Sequence, residues 1–78
     1  MSKIKIADVL YTATDESYYV LNREHENTEK YQGETIDAVY KKIVADGWNR
    51  CGKVNKSDNS LVDLFSNLRN DYIAVWEE

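Results

Sequence analysis

Apolar side chains recur at helical spacing in the middle of the chain. Four of them occupy positions i, i+3, i+4 and i+7, the spacing that lines one face of an α-helix. These four are Ile36, Val39, Tyr40 and Ile43. Thr35 is a suitable N-cap because its hydroxyl can accept a free backbone N–H, and Gly47 can adopt the left-handed conformation that ends a helix. The pattern predicts a helix from Thr35 to Asp46.

A second helical pattern begins after Ser60. Ser60 and Asp63 form a Ser-x-x-Asp capping signature, and apolar residues follow at helical spacing. These are Leu61, Leu64, Phe65 and Leu68. The element either continues through Trp76 as one long terminal helix or stops at residues 70–71, because Asn and Asp tolerate turn conformations. In the second case residues 72–76 form a β-strand, which their β-branched and aromatic side chains favour.

In the N-terminal segment, polar and apolar side chains alternate and then lose this alternation near residues 7–8. Residues 3–6 alternate polar and apolar side chains, which predicts a half-buried strand. A β-bulge near residues 7–8 would absorb the slip that follows. A helix is the rival interpretation, because four apolar residues of this segment also have helical spacing. These are Ile6, Val9, Leu10 and Ala13.

The remaining patterns complete a fold prediction. Residues 14–17 are typical of a turn, residues 17–21 of a strand, and residues 29–32 of a short returning strand. The sum is an α+β fold, with a small antiparallel sheet of about three to four strands and one or two helices packed on one face. The alternative is a mostly α fold with an N-terminal and a long C-terminal helix. The length of 78 residues predicts a single domain over residues 1–78.

Composition narrows the class of protein. Hydrophobic residues make up 42% of the chain and charged residues 31%, which is typical of a globular protein. Cys51 is the only cysteine, so no disulfide framework can form within the chain and a reducing compartment is favoured. No basic-then-apolar leader opens the sequence, and no apolar run reaches the roughly 20 residues of a membrane span. We therefore expect a cytoplasmic protein that does not enter a membrane.

Residues that could carry chemistry are few. His25 is the only histidine and lies between Glu24 and Glu26, but neighbouring side chains of a strand point to opposite faces and cannot converge on one ion. Cys51 has no evident catalytic partners beyond that histidine. The three glycines lack the spacing of a nucleotide-binding motif. The sequence therefore predicts no catalytic residues, no metal site, no cofactor and no enzymatic activity.

Charge is unevenly distributed along the chain. The whole sequence carries fourteen acidic and ten basic residues, a net charge of −4. Residues 39–57 contain five basic residues and one acidic residue, a net charge of +4, so the remainder carries −8. Residues 15–37 contain seven acidic and two basic residues, a net charge of −5. A fold that keeps these segments on different surfaces would have two oppositely charged faces.

The acidic segment suggests a binding function. Carboxylates on a hairpin can imitate a phosphate backbone and occupy the cationic groove of a nucleic-acid-binding protein. In size and charge the chain is similar to small acidic inhibitors encoded by phages, anti-CRISPR proteins among them. We therefore predict a small acidic protein-binding module, an inhibitor of a nucleic-acid-binding or defence protein, whose partner has a basic surface. The predicted acidic face consists of Asp15, Glu16, Glu24, Glu26 and Glu29.

The basic segment supports an alternative function, the binding of nucleic acid. A tryptophan among cations on a loop over residues 47–56 could stack on a base while the cations contact phosphates. The predicted basic surface consists of Lys41, Lys42, Trp48, Arg50, Lys53 and Lys56. A homodimer is a further expectation, because a strand over residues 72–76 at the edge of the sheet could pair with its copy.

Overall fold

A computed structural model describes residues 4–78, which form five strands and one helix. The elements in chain order are β1 (Ile4–Thr12), β2 (Ser17–Glu24), α1 (Ile36–Ala45), β3 (Asn49–Asn55), β4 (Leu61–Ser66) and β5 (Tyr72–Glu77). The strands make one sheet in the order β2-β1-β5-β4-β3, and each hydrogen-bonded pair is antiparallel. The chain therefore crosses from one edge of the sheet to the other between β2 and β3, and α1 lies in that crossover.

The sheet curls until its two edges approach each other. Four antiparallel pairings in this order make β2 and β3 run in the same direction. Some Cα atoms of β2 and β3 lie within 8 Å of each other, but no backbone ladder joins them in the described part of the chain. The sheet is thus a half-open barrel. We call its open side, between β2 and β3, the seam.

Helix α1 covers the outer face of the sheet. The Thr35 hydroxyl accepts a hydrogen bond from the backbone N–H of Ala38 at 3.1 Å, so the predicted N-cap is confirmed. Gly47 has a φ of +100° just after the helix, where a residue with a Cβ would be strained. Val39 and Ile43 are fully buried against the sheet. The sequence prediction of a helix over residues 35–46 is therefore confirmed.

Two apolar cores lie on the two faces of the sheet. The core under α1 contains Ile4, Ile6, Tyr31, Val39, Ile43, Trp48, Phe65, Ile73 and Val75. The core inside the curl contains Val9, Val54, Val62, Leu64 and Ala74, with Tyr18, Val20, Tyr72 and Trp76 packed against it. The inner core takes side chains from all five strands, which explains why the sheet closes around it.

The predicted fold class is wrong. The sheet has five strands rather than three to four, and one short helix, within the predicted one or two, accompanies it in residues 4–78. The mostly α alternative is also wrong. The second predicted helix is strand β4, in which Leu64 and Phe65 are buried on opposite faces of the sheet. A strand buried on both faces has apolar neighbours at adjacent positions, and this pattern imitates helical spacing.

Two further segments differ from their predictions. Most of the predicted loop over residues 47–56 is strand β3, whose side chains are largely exposed and whose apolar pattern is correspondingly weak. The predicted strand over residues 29–32 is a series of turns, in which the Tyr31 N–H bonds the Asn27 carbonyl at 3.2 Å. This turn places the Tyr31 ring in the core under α1.

The N-terminal segment is a strand, so its helical interpretation is wrong. Lys3 lies outside the described residues. The pairing of β1 with β2 shifts register between Ala7 and Val9, where the sequence predicts a bulge. Ala7 pairs with Glu24 and Val9 with Val20, so the extra residues belong to β2. The alternation in β1 slips because the strand is buried on both faces.

Strand β5 forms as the favoured interpretation of residues 72–76 predicts, but it lies at the centre of the sheet. It pairs with β1 on one side and with β4 on the other. Its backbone groups are therefore engaged, and it cannot pair with a second copy. A homodimer formed through an exposed β5 edge is excluded by this topology.

Candidate functional site

A carboxylate on β1 organises one end of the molecule. The Nδ1 atom of His25 lies 2.8 Å from Asp8 Oδ1, and Arg23 Nε lies 2.9 Å from Asp8 Oδ2. The imidazole N–H and the guanidinium donate these bonds, because an ionised carboxylate only accepts. The irregular part of β2 ends at Arg23 and brings both donors to the same side of Asp8. Asp8 is 25% exposed, so these bonds are partly shielded from water.

His25 is held from several directions. Its backbone N–H donates to the Ile6 carbonyl at 2.9 Å, and its ring meets the Trp48 ring edge to face with centroids 5.6 Å apart. Its Nε2 atom is buried and has no hydrogen-bond partner among the described residues. No group of three His, Cys, Asp or Glu side chains within residues 4–78 could hold a metal ion. Glu24, His25 and Glu26 therefore do not converge in this structure.

Trp48 joins this region to the end of α1. The indole N–H donates to the Tyr31 hydroxyl at 3.1 Å, and that hydroxyl donates to the Asp46 carboxylate. Lys30 Nζ also reaches Asp46 at 3.1 Å. The Tyr31 hydrogen bond, helped by Lys30, lowers the pKa of Asp46, while burial and the Asp46 contact raise the pKa of Tyr31. The pair is thus arranged with a neutral tyrosine and an ionised carboxylate.

Two adjoining clefts open around His25. The first has a volume of about 650 Å³ and lies between the β1–β2 hairpin and the turn that precedes β5. The second has a volume of about 380 Å³ and extends toward the end of α1. His25, Glu26 and Asp71 line both clefts. We call the two clefts together the paired clefts.

The turn over residues 67–71 forms one wall of the paired clefts. The Asn67 side-chain oxygen accepts the backbone N–H groups of Arg69 and Asp71, each at 3.0 Å. Asn70 adopts a left-handed conformation with a φ of 61°, which asparagine tolerates. This ordered turn leaves the Leu68 side chain 96% exposed.

The paired clefts are acidic and have apolar side chains at their margin. Their carboxylates are Asp8, Glu24, Glu26, Asp46 and Asp71, and their guanidinium groups are Arg23 and Arg69. Five negative and two positive groups give a net charge of −3 with His25 neutral. Leu10 lines the first cleft at 53% exposure, and its register partner Tyr19 is 47% exposed. Carboxylates and large apolar side chains thus share one surface.

The acidic residues predicted from sequence are divided between the two ends of β2. Glu24 and Glu26 line the first cleft, and Glu24 lies 3.9 Å from Lys5. Asp15 and Glu16 lie at the β1–β2 turn, at the other end of β2 from Glu24. The β1 partners of the two ends of β2, Thr12 and Ala7, are five residues or roughly 17 Å apart. Glu29 is exposed and lines neither cleft. The structure brings together two of the five.

The predicted basic residues do not form one open surface. Trp48 is only 5% exposed, so its ring cannot stack on a base. Arg50 is 3.0 Å from Asp63. The ammonium of Lys56 lies 4.6 Å from the centroid of the Trp76 ring. These side chains are largely occupied by contacts within the protein.

The other three predicted cations are dispersed. Lys41 is exposed on α1, and the Lys42 ammonium donates to the Gln32 carbonyl. Lys53 lies on β3 beside Lys56 in a separate cleft. The cations therefore have several different surroundings, and none of them lines the paired clefts.

A half-buried tyrosine, Tyr40, predicts how the free energy of unfolding responds to alkali. Burial and its hydrogen bond to Asp63 raise the pKa of Tyr40 well above the ordinary value of 10.0. Because the folded state holds this proton more tightly than the unfolded state, the stabilisation is present below pH 10 and is lost as pH rises further. We expect a lower urea midpoint at about pH 11 than at about pH 8. Tyr40→Phe should reduce this difference, and an unchanged difference would contradict the assignment.

Comparison with protein-family models, curated proteins and solved structures found no match. Within residues 4–78, α1 is too short to cross a lipid bilayer, and it is the only helix described there.

Proposed function

We propose that the protein is a small non-enzymatic binding module whose partner is a protein with a basic surface. The observation that carries this proposal is the acidic rim of the paired clefts beside the exposed side chains of Leu10, which lines the first cleft, and Leu68, which lines the second. Exposed apolar side chains within a polar rim are typical of interaction surfaces. Carboxylates around them favour a cationic partner and disfavour an acidic one.

An inhibitor is the specific form of this function that we propose. A basic groove that binds nucleic acid offers cations to the carboxylates of the rim, and Leu68 can enter an apolar pocket of the same groove. The alternative, direct binding of nucleic acid by the predicted basic surface, has less support. Trp48 is buried and Arg50 is paired with Asp63, so both lack the exposure that base stacking and phosphate contacts require.

The proposal predicts that charge reversal acts differently at the two ends of β2. A Glu24→Lys/Glu26→Lys variant should bind the partner at least about tenfold more weakly, because it places two like charges against a basic surface. Asp15→Lys/Glu16→Lys makes the same change in net charge at the other end and serves as the matched control. The partner is isolated from the native host with the wild-type chain as bait, and affinities are measured by calorimetry at low and moderate salt.

Two outcomes of this experiment would contradict the proposal. If both variants lose affinity equally, net charge rather than the paired clefts controls binding. If neither does, the acidic rim is not the interface. Leu68→Ser adds a test of the apolar part, because a side chain that is 96% exposed can be changed with little effect on folding. Weaker binding with an unchanged urea midpoint is expected.

A further inference from the structure

A second candidate site lies at the seam of the half-open barrel, around Trp76. Trp76 lies near the end of β5 and packs against the inner core. Three clefts meet at its side chain, and the two of about 200 Å³ and 330 Å³ are also lined by Leu21 and Asn22 of β2. Trp76 and Lys56 line neither of the paired clefts. The two sites adjoin, because the first paired cleft and the smallest cleft at Trp76 share Leu21, Arg23 and Glu24.

The irregular part of β2 keeps the seam open. Leu21, Asn22 and Arg23 have no register partner in β1, and no ladder joins β2 to β3 among residues 4–78. Polar backbone groups therefore border an aromatic ring at a place where the sheet does not close. A pocket with an aromatic wall and a few polar groups is typical of small-ligand sites.

Two cations flank the indole. Lys56 Nζ lies 4.6 Å from the ring centroid, and Lys5 is the cross-strand partner of Trp76, which places both side chains on the same face of the sheet. Both lysines are half-buried, with Lys56 at 21% and Lys5 at 26% side-chain exposure. Their carboxylate partners, Asp58 at 3.7 Å and Glu24 at 3.9 Å, are exposed, so these ion pairs are weak and easily exchanged.

The Trp76 ring also has an unused donor. Its Nε1 atom is buried and has no hydrogen-bond acceptor among the described residues. Lys56 covers the ring, so displacement of this one side chain would uncover both the ring face and the neighbouring cleft. A ligand with an aromatic ring and an anionic group would compensate for the displacement of Lys56. Its ring would cover the indole in place of the ammonium, and its anionic group would pair with the freed ammonium.

From these contacts we propose that the seam binds an aromatic ligand that carries an anionic group, of the kind found in a nucleotide. The ligand ring stacks on Trp76, and its phosphate takes the place of Asp58 and Glu24 beside Lys56 and Lys5. The amide of Asn22 is placed to meet polar edges of the ring. The same chemistry is present in a free mononucleotide and in one unit of a single-stranded nucleic acid.

Tryptophan fluorescence tests this proposal on the full chain. Adenosine 5′-monophosphate should quench emission with saturation at millimolar concentration, whereas adenosine or inorganic phosphate alone should bind at least about fivefold more weakly because each supplies half of the contacts. Lys56→Gln should weaken the mononucleotide at least about fivefold, and Lys41→Gln, which removes the same charge from the exposed face of α1, should leave it unchanged. A twelve-nucleotide single strand that saturates when the mononucleotide does not identifies the polymer as the source of the ligand.

Nuclear magnetic resonance of the wild-type protein gives a readout that does not depend on the folding of Lys56→Gln. The two indole N–H signals are assigned by the loss of one in Trp76→Phe, and the mononucleotide should shift the Trp76 signal while the Trp48 signal stays in place. The proposal is overturned if no probe gives saturable binding, if Lys56→Gln and Lys41→Gln behave alike, or if the Trp48 signal moves instead. Glu26 lines both paired clefts and neither of the two clefts at Trp76 that β2 lines. Mononucleotide binding combined with no effect of Glu26→Lys on the protein partner would therefore separate this outcome from that of the proposed function.

Discussion

Replacing Trp48 with alanine is expected to remove about 3–5 kcal/mol of folding free energy, the usual loss for a buried aromatic side chain. A chain of this length is typically stable by roughly 4–12 kcal/mol, so the variant should be close to unfolding at 25 °C. Trp48 packs in the core under α1, touches His25 edge to face and donates to the Tyr31 hydroxyl. Its loss leaves a cavity at the point where three segments meet.

Trp76→Ala is the matched control, since it deletes the same side chain from a less buried position at the seam. Urea unfolding followed by circular dichroism should give a clearly smaller loss for this variant. Equal losses would show that Trp48 is no more important to the core than the seam residue. The test is the order of the two losses in folding free energy, because the cost of a cavity depends on how far its surroundings relax.

Replacing Asp8 with alanine is expected to cost about 1–3 kcal/mol, because it leaves a largely buried imidazole without its hydrogen-bond partner. Arg23 is well exposed and can return to water, whereas His25 is only 13% exposed and cannot. The cost should therefore arise mainly at His25. Asp8→Asn, which retains a side-chain acceptor, should lose less, and Asp15→Ala at the exposed hairpin turn should lose little.

Amide hydrogen exchange identifies the segment that loses stability in Asp8→Ala. The His25 N–H bonds to Ile6, and the Thr28 N–H bonds to the His25 carbonyl. Both amides should exchange faster in Asp8→Ala, while amides of β4 should change only with global stability. Unchanged protection at His25 and Thr28 would mean that the carboxylate does not hold this segment to β1. The same result would remove Asp8 as a positioning residue of the paired clefts.

Helix α1 is predicted correctly because only one of its faces is buried. Helix α1 presents Val39 and Ile43 to the sheet and its other side to solvent, so its periodicity is visible. Strand β4 is buried on both faces, and its spacing of apolar residues is indistinguishable from that of a helix. Strand β3 has a single buried residue, Val54, and exists because β4 pairs with it.

The candidate site depends on contacts that no local pattern encodes. Asp8 and His25 are seventeen residues apart and meet only because β1 and β2 form a hairpin whose irregular end turns Arg23 and His25 back toward β1. The sequence predicts Glu24 and Glu26 from their charge, which is the one property of the site that composition reveals. The sequence pattern places Leu68 on a helix face, and the exposure of its side chain follows from the turn that replaces this helix.

The pairing of β1 with β5 has a consequence for how the chain folds. Ile4 is the register partner of Glu77, so the central ladder of the sheet joins segments from opposite ends of the sequence. Contacts of such long sequence separation slow folding, because a large loop must be closed before they form. During synthesis β1 has no second neighbour until β5 leaves the ribosome. Until then β1 can pair only with β2, so the β1–β2 hairpin can form before the central ladder and the sheet is completed only once β5 is available.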